Sequence, residues 1–494
     1  MRLFGSSRAP RAAVLAFLAV PLLLPTACRR PAKSSAPRRN VLLVTFDTMR
    51  ADFLGCYGDT VTRTPTIDGL ASRGARFEWA FAAVPFTPPS IWSLLFSERV
   101  HDYTYSTSLK DHNGARGSVA ERFRAAGYLT ARIVGSSIVN AANGYARGFD
   151  HDRDTWAELS LNNETTLARV LELGTQVLAT RERERPYFLY VHFYDPHSPW
   201  GDAPPAFRTY AGEESRFARL ASQHRIFDRA NDFEIARFDN AVQVYAGKDA
   251  PLLKKTGEYQ KLVIPTYRSE ITWSDDVLGR LLAEFARVGL LDDTVIAVSS
   301  DHGIGFAEHY QTWGYVFPLF NEALRVPLVV VGPDIKARRI PTPVSLVDLG
   351  ATLLDLAGVG NRHADGSSFK PLLDGSGWDG PVYAEATALT PELRFMIIDD
   401  DKNRFAPGVE NRHAALVQGR YKIIHMPARM GSKFELFDLQ DDPRETMDLY
   451  SPQDPTHHAL AERLLRMEMS AHRGAADKMD PATLERLRAL GYLK

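Results

Sequence analysis

Disulfides can hold little of this chain together, because only two of its 494 residues are cysteines, Cys28 and Cys56. Stability must then come from the size of the core. An excess of one charge is also missing. Lys and Arg total 59 against 60 Asp and Glu, a formal charge of -1 with no long single-sign run. A nucleic-acid partner needs a basic surface, so that balance gives it no support, and a polyelectrolyte tail has none either. No fixed-period repeat is visible, and no multi-span membrane region precedes the folded part. What is present is ordinary: 45% hydrophobic and 24% charged residues, ample for one large core plus a smaller unit.

The first residues read as an export signal. Arg2, Arg8 and Arg11 precede an apolar run from Ala12 to Leu24, which ends at Pro25-Thr26-Ala27-Cys28. A basic flank, a short apolar core and small residues before a break mark a secretory leader, too short to span a bilayer stably. Its closing Cys is similar to the lipidated Cys of bacterial lipoproteins, although Pro25 stands where Leu is usual. An ordinary cleaved leader is the alternative. The expectation is an exported protein, periplasmic or at the cell surface, with a lipid anchor on Cys28 as its only membrane attachment. Arg29 to Arg39, rich in Pro, Ser and basic residues, reads as a tether.

Asn40 to Phe46 is a continuous apolar run, the pattern of a strand buried on both faces. Similar runs occur at Tyr128 to Val134, Tyr187 to Tyr194, Thr294 to Ser299 and Val326 to Val331. Helical patterns lie between them, at Ser118 to Ala126, Leu167 to Thr180 and Ser269 to Val288. The alternation predicts an α/β fold with a mostly parallel central sheet flanked by helices. After about Gly360 short strands follow one another without helices, at Val382 to Ala384, Leu416 to Val417, Tyr421 to His425 and Phe434 to Phe437. They predict a small antiparallel sheet. The domain plan is a leader over 1–28, a linker over 29–39, a catalytic domain over 40–360, a C-terminal subdomain over 361–450 and a helical segment over 451–494.

Open parallel sheets bind ligands beyond the carboxyl ends of their strands. The first run ends at Asp47, the Thr294 run at Asp301-His302-Gly303 and the Tyr187 run at Asp195-Pro196-His197. Thr87-Pro88-Pro89-Ser90 leads into an apolar helix start. Two carboxylates and an imidazole offer hard oxygens and one nitrogen to a divalent cation. A hydroxyl beside a helix N-terminus sits where an anion is favoured. Each feature alone is more often a cap or a turn; their joint order is what carries weight.

These segments resemble the sulfatase family of the alkaline-phosphatase superfamily. The likeness runs through Val41 to Gly58, the Thr87 turn, Gly148-Phe149-Asp150, Tyr187 to Trp200, the Asp301-His302-Gly303 segment and the late Phe434 to Glu445 stretch, with a closing Leu487 to Leu493 like bacterial members. It covers most of Asn40 to Leu449. It implies a divalent metal cation (Ca, Mn, Mg or Zn) on Asp47, Asp301, His302 and Thr87. It also implies a nucleophile at Thr87 and a proton donor or ester contact at His197. His309 is a further catalytic candidate, with a solvated surface His as the alternative. Trp200 and Trp313 either line a pocket or belong to the core.

The departures from the family are specific. Sulfatases proper carry Cys or Ser where Thr87 stands and oxidise it to formylglycine, which Thr cannot become. Ile91, Gly135-Ser136-Ser137-Ile138, Ile304 and Tyr315 replace the family's usual Arg, Gly-Lys-Trp-His, Glu and His. The resemblance therefore implies a hydrolase of a sulfuric, phosphoric or phosphonic ester, acting on a small-molecule, glycan or lipid ester. A binding protein that kept the fold and a phospho-headgroup transferase are the rival readings.

Overall fold

The computed structural model describes residues 38–101, 117–158, 163–179, 185–198, 200, 203–210, 258–306, 308–309, 313–315, 319–360, 366–386, 412–427 and 433–471. The leader with Cys28, most of the tether and the closing Leu487 to Leu493 stretch lie outside them. From Pro37 onward the chain forms one compact unit. No described helix is long and apolar enough to cross a membrane.

The predicted buried runs are strands, each within a residue or two of its expected bounds: β1 Asn40–Phe46, β3 Leu129–Val134, β5 Tyr187–Phe193, β6 Thr294–Ser300 and β9 Arg325–Val331. Four further strands complete the sheet: β2 Ala75–Phe81, β4 His151–Asp154, β10 Arg338–Ile340 and β11 Val344–Ser345. The order is β10-β2-β9-β6-β1-β5-β3-β4, with β11 also on β2. Every pairing is parallel except those of β9, which runs antiparallel to β2 and β6. β2 is not among the predicted strands, because Arg76 and Glu78 interrupt its apolar pattern. Phe77 and Ala80 of β2 face Leu328 and Val326 of β9, one residue more on β2 than on β9. That bulge leaves both Glu78 and Trp79 on the outer face.

Helices cover both sheet faces: α1 Pro65–Arg73, α2 Thr87–Phe96, α3 Val119–Ala125, α4 Asn163–Leu173, α5 Glu258–Arg287 and α6 Leu346–Leu356. At α3 the Ser118 hydroxyl accepts the Glu121 N–H and the Glu121 carboxylate accepts the Ser118 N–H, which fixes the helix start. A two-stranded ribbon, β7 Gly305–Phe306 and β8 Trp313–Gly314, follows β6.

The second sheet is the expected antiparallel one: β12 Val382–Ala386, β13 His413–Gln418, β14 Tyr421–Met426 and β15 Lys433–Asp438. Strand alternation splits its apolar residues between two cores. Val417, Ile424 and Phe437 join the main core. Leu416, Ile423 and Leu436 pack under α7, Pro455–Ala471. The second sheet is thus welded to the first.

Candidate active site at the strand ends

The carboxyl ends of β1, β5 and β6 meet at one point. Asp47 N–H bonds the Phe193 carbonyl at 3.0 Å and Asp301 N–H bonds that of Phe46 at 3.1 Å, so each strand exit is fixed by its neighbour. Thr48 then turns the chain in a left-handed conformation, φ 59°, which β-branched residues seldom adopt. Asp301 Oδ1 accepts the N–H groups of Thr48 at 3.1 Å and His302 at 2.7 Å. Its Oδ2, fully buried, has no hydrogen bond.

Thr87 is the first residue of α2 and is buried. The Ser90 hydroxyl donates to the Asp301 carbonyl at 2.6 Å and so pins the helix to the end of β6. Thr87 Oγ lies 3.0 Å from His302 Nε2 and 3.4 Å from Asp47 Oδ1. His302 Nδ1 sits 2.8 Å from the Gly303 carbonyl, which can only accept, so the ring proton is on Nδ1. Nε2 therefore offers a lone pair, and the single Thr87 O–H has two acceptors within reach, this nitrogen and Asp47 Oδ1.

One residue of the cluster escaped the sequence reading. His192, beside Thr45 across β5 and β1, bonds the Thr45 hydroxyl through Nδ1 at 2.9 Å. Its Nε2 stands 3.6 Å from Asp47 Oδ2 and has no hydrogen bond. Burial pushes the imidazole down to about 4, so it is neutral at ordinary pH. A His inside the run Tyr187–Phe193 was the available signal.

Burial, and then the charge of Asp301, push the Asp47 carboxyl well up; His197, His302 and the Thr87 hydrogen bond oppose them. Asp47, His192 and Asp301 each offer a buried ligand atom within 4.8 Å of the others. Buried polar atoms are normally satisfied. Two carboxylates and a neutral imidazole with unpartnered atoms are the donor set of a divalent cation. The residues fit the metal that the family implies.

The other expectations divide. His197 is near enough for its charge to act on Asp47, and its Nε2 lies 2.6 Å from the Tyr315 hydroxyl. Tyr315 in turn packs on the His302 ring, centroids 4.5 Å apart. His309 is held elsewhere: Nδ1 is 2.8 Å from Glu322 and Nε2 3.0 Å from the Glu445 carbonyl, with its ring stacked on Phe320. The helix N-terminus is a poorer anion site than expected. Pro88 and Pro89 remove two of its first N–H groups, and the Ser90 N–H is bonded to Phe86. Trp200 is core, packed against Tyr267 and Phe306; the Trp313 side chain lies outside the described residues.

The sulfatase family's sequence model matches residues 39–359. The N-acetylglucosamine-6-O-sulfatase of Bacteroides thetaiotaomicron is 24% identical over 504 residues, covering 87% of this chain and 87% of that protein. A protein solved with its substrate D-glucosamine-2-N,6-O-disulfate superposes at TM-score 0.67 and 19% identity, covering 90% of this chain and 100% of its own. The phosphonate monoester hydrolase of Agrobacterium radiobacter superposes at TM-score 0.58 and 20% identity, covering 88% of this chain and 96% of its own. The chain belongs to the sulfatase family and is a hydrolase acting on ester bonds.

Proposed function

We propose that this protein is a metal-dependent hydrolase that cleaves a phosphonic, phosphoric or sulfuric ester with the unmodified Thr87 hydroxyl as nucleophile. The observation that carries the reading is the Thr87 Oγ itself, 3.0 Å from the His302 Nε2 lone pair beside two carboxylates. Asp47 and Asp301 would hold the cation through oxygen and His192 through nitrogen, which leaves the His302 Nε2 lone pair to Thr87. When bound, a divalent cation supplies charge stabilisation for the ester oxygens and favours the ionised form of a nearby hydroxyl.

The chain's own residues do the rest. His302 Nε2 is placed to take the Thr87 proton as Oγ bonds to phosphorus or sulfur. The bond to the leaving oxygen breaks, and the His197–Tyr315 pair is placed to return a proton to that oxygen. Water then attacks the same centre, the bond from Thr87 Oγ to it breaks with the proton returned to Oγ, and the phosphonic acid, phosphate monoester or sulfate leaves. A formylglycine hydrate expels sulfate by collapse of its own hemiacetal, which Thr87 cannot do. Attack at the central atom is easier to arrange at phosphorus, so a phosphonate monoester or phosphodiester is the favoured substrate. Export with lipidation at Cys28 belongs to the same proposal.

The test is a screen of aryl sulfates, phosphate monoesters, phosphate diesters and phosphonates, using protein made in a host without formylglycine maturation. Full activity is expected there. Thr87→Ala should lose at least on the order of 10³-fold in kcat, and Thr87→Ser should keep part of it. Wild-type-like turnover by Thr87→Ala would sink the mechanism.

A further inference from the structure

The strand ends that carry Asp47 and Asp301 continue into two matched segments. Asp47-Thr48-Met49-Arg50 runs on to Asp52 and Phe53, and Asp301-His302-Gly303-Ile304 runs into the β7–β8 ribbon with Phe306 and Glu308. Arg50 stands between them, its side chain 7% exposed, and takes one partner of each kind from each segment. Among carboxylates, Asp52 accepts Nε at 2.9 Å and Nη2 at 2.7 Å, and Glu308 accepts Nη1 at 2.5 Å. Among rings, the Phe53 centroid lies 4.9 Å from the guanidinium carbon and that of Phe306 5.5 Å. Nη1 also donates to the Ile304 carbonyl at 3.0 Å, one residue before β7 begins.

The main chain is tied at the same place. Arg50 N–H donates to the Tyr267 hydroxyl of α5 at 2.9 Å, and that hydroxyl donates to the Thr48 carbonyl at 2.7 Å. Met49 N–H donates to Ser300 Oγ at 2.8 Å. These ties answer a mechanical problem. Asp47, His192 and Asp301 place buried ligand atoms within 4.8 Å of one another, and two carboxylates at that spacing repel, more strongly where water is excluded. The β1–β6 ladder ends at Phe46 and Ser300, so beyond the two acids the exits are joined through side chains. Balancing charge does not require an arginine here. A Lys ammonium is a point donor, whereas the planar fork reaches Asp52 with two nitrogens and both Glu308 and Ile304 with the third.

We infer that Arg50 is a positioning residue: it braces the two strand exits and so sets the spacing of Asp47 and Asp301 for the divalent cation, with Glu308 as the outer end of the brace. The inference rests on the metal reading proposed above. Arg50 acts on the ligands through the main chain of both segments, which a buried fork flanked by two rings holds at one distance.

The experiment is calorimetric titration of Mn²⁺ and of Zn²⁺ into the full chain after EDTA treatment and desalting. Arg50→Lys keeps the charge and loses the fork; it should weaken binding at least tenfold while the far-UV spectrum stays near native. Glu308→Gln, at a side chain 33% exposed, should weaken binding by less without threatening the fold. Arg50→Gly should lose the affinity and regain part of it in millimolar guanidinium chloride, but not in sodium chloride at the same concentration. A role in folding alone shifts the denaturation midpoint and leaves the affinity of the folded protein untouched. Affinities equal to wild type in Arg50→Lys and Glu308→Gln, or no difference between the two salts, overturn the inference; should Arg50→Lys not fold, Glu308→Gln decides. A wild type that takes up neither ion overturns the metal reading and this inference with it, so the wild-type titration tells the two failures apart.

Discussion

Two of the buried groups of charges among the described residues are built on opposite plans. At the strand ends, Asp47 and Asp301 lie together with a neutral His192, and Asp301 Oδ2 and His192 Nε2 are left without hydrogen bonds. Where the second sheet meets the first, Lys422 and Glu445 are also fully buried, but every charge is answered. Lys422 Nζ is 2.6 Å from Glu445 and 3.0 Å from Asn321 Oδ1; Glu445 Oε2 accepts the Asn321 N–H at 2.6 Å; His309 pairs with Glu322. Desolvation is costly in both places, and only the second group offsets it internally. The contrast separates a cluster made to receive a ligand from one made to lock two sheets together.

The lock is adjacent to the site. Gly303 N–H bonds the Ala323 carbonyl at 2.8 Å, and a Cβ on Gly303 would come within 2.1 Å of the Glu322 carbonyl oxygen. Only glycine permits that approach. The segment carrying His302 is thereby held against the segment carrying Glu322.

The largest effect that would break the comparison is at Asp301. Asp301→Ala should abolish stoichiometric metal and lower kcat on the order of 10³-fold or more, about 4 kcal/mol, while the far-UV spectrum stays near native. Asp301→Asn keeps an oxygen for the Thr48 and His302 N–H groups but removes one of two crowded charges. In EDTA-treated protein it should therefore raise stability, by about 1 kcal/mol. An unchanged or lowered midpoint in denaturant would mean that the strand-end cluster is already balanced.

Lys422 should respond in the opposite sense. Lys422→Met leaves Glu445 buried without its cation and should cost about 3–5 kcal/mol in urea unfolding. Lys422→Met with Glu445→Gln should recover much of that loss. A single variant as stable as wild type would remove the lock.

Much of this was legible in the sequence, for one physical reason. Strands buried on both faces write themselves as unbroken apolar runs, so β1, β5 and β6 and the acids that end them were visible. β2 was hidden because its outer face carries Arg76 and Glu78, and the register of β9 because antiparallel and parallel strands share one apolar signature. His192 was read as part of a strand, since its role depends on the neighbouring strand rather than on its own neighbours. The prolines after Thr87 marked the helix start correctly, yet their missing N–H groups weaken the anion site that the same start implied. His309 lies close in sequence to Asp301, and proximity in sequence misled: the β7–β8 ribbon carries it to the second sheet.

His309 gives the smallest expected effect and the finest test of the balanced cluster. Burial opposes its charge, but the hydrogen bond and charge of Glu322, with the charge and carbonyl of Glu445, outweigh that and raise it from 6.5 to about 9. Lys422 faces the same two acids, and Phe320 covers the ring without adding charge. A folded pKa above the unfolded one means that the protonated ring stabilises the fold. That contribution is fully present below about 6.5 and disappears as pH rises through about 9. Burial holds Lys422 down, so its own titration acts in the opposite direction and has to be separated. His309→Gln separates it, because Gln keeps a donor for Glu322 but does not titrate. Between pH 6 and 10 the wild type should lose on the order of 1–3 kcal/mol relative to His309→Gln. Thermal midpoints of the two proteins should accordingly converge as pH rises. Parallel curves would show that the His309 charge contributes nothing to the lock, and Lys422–Glu445 would then be its whole.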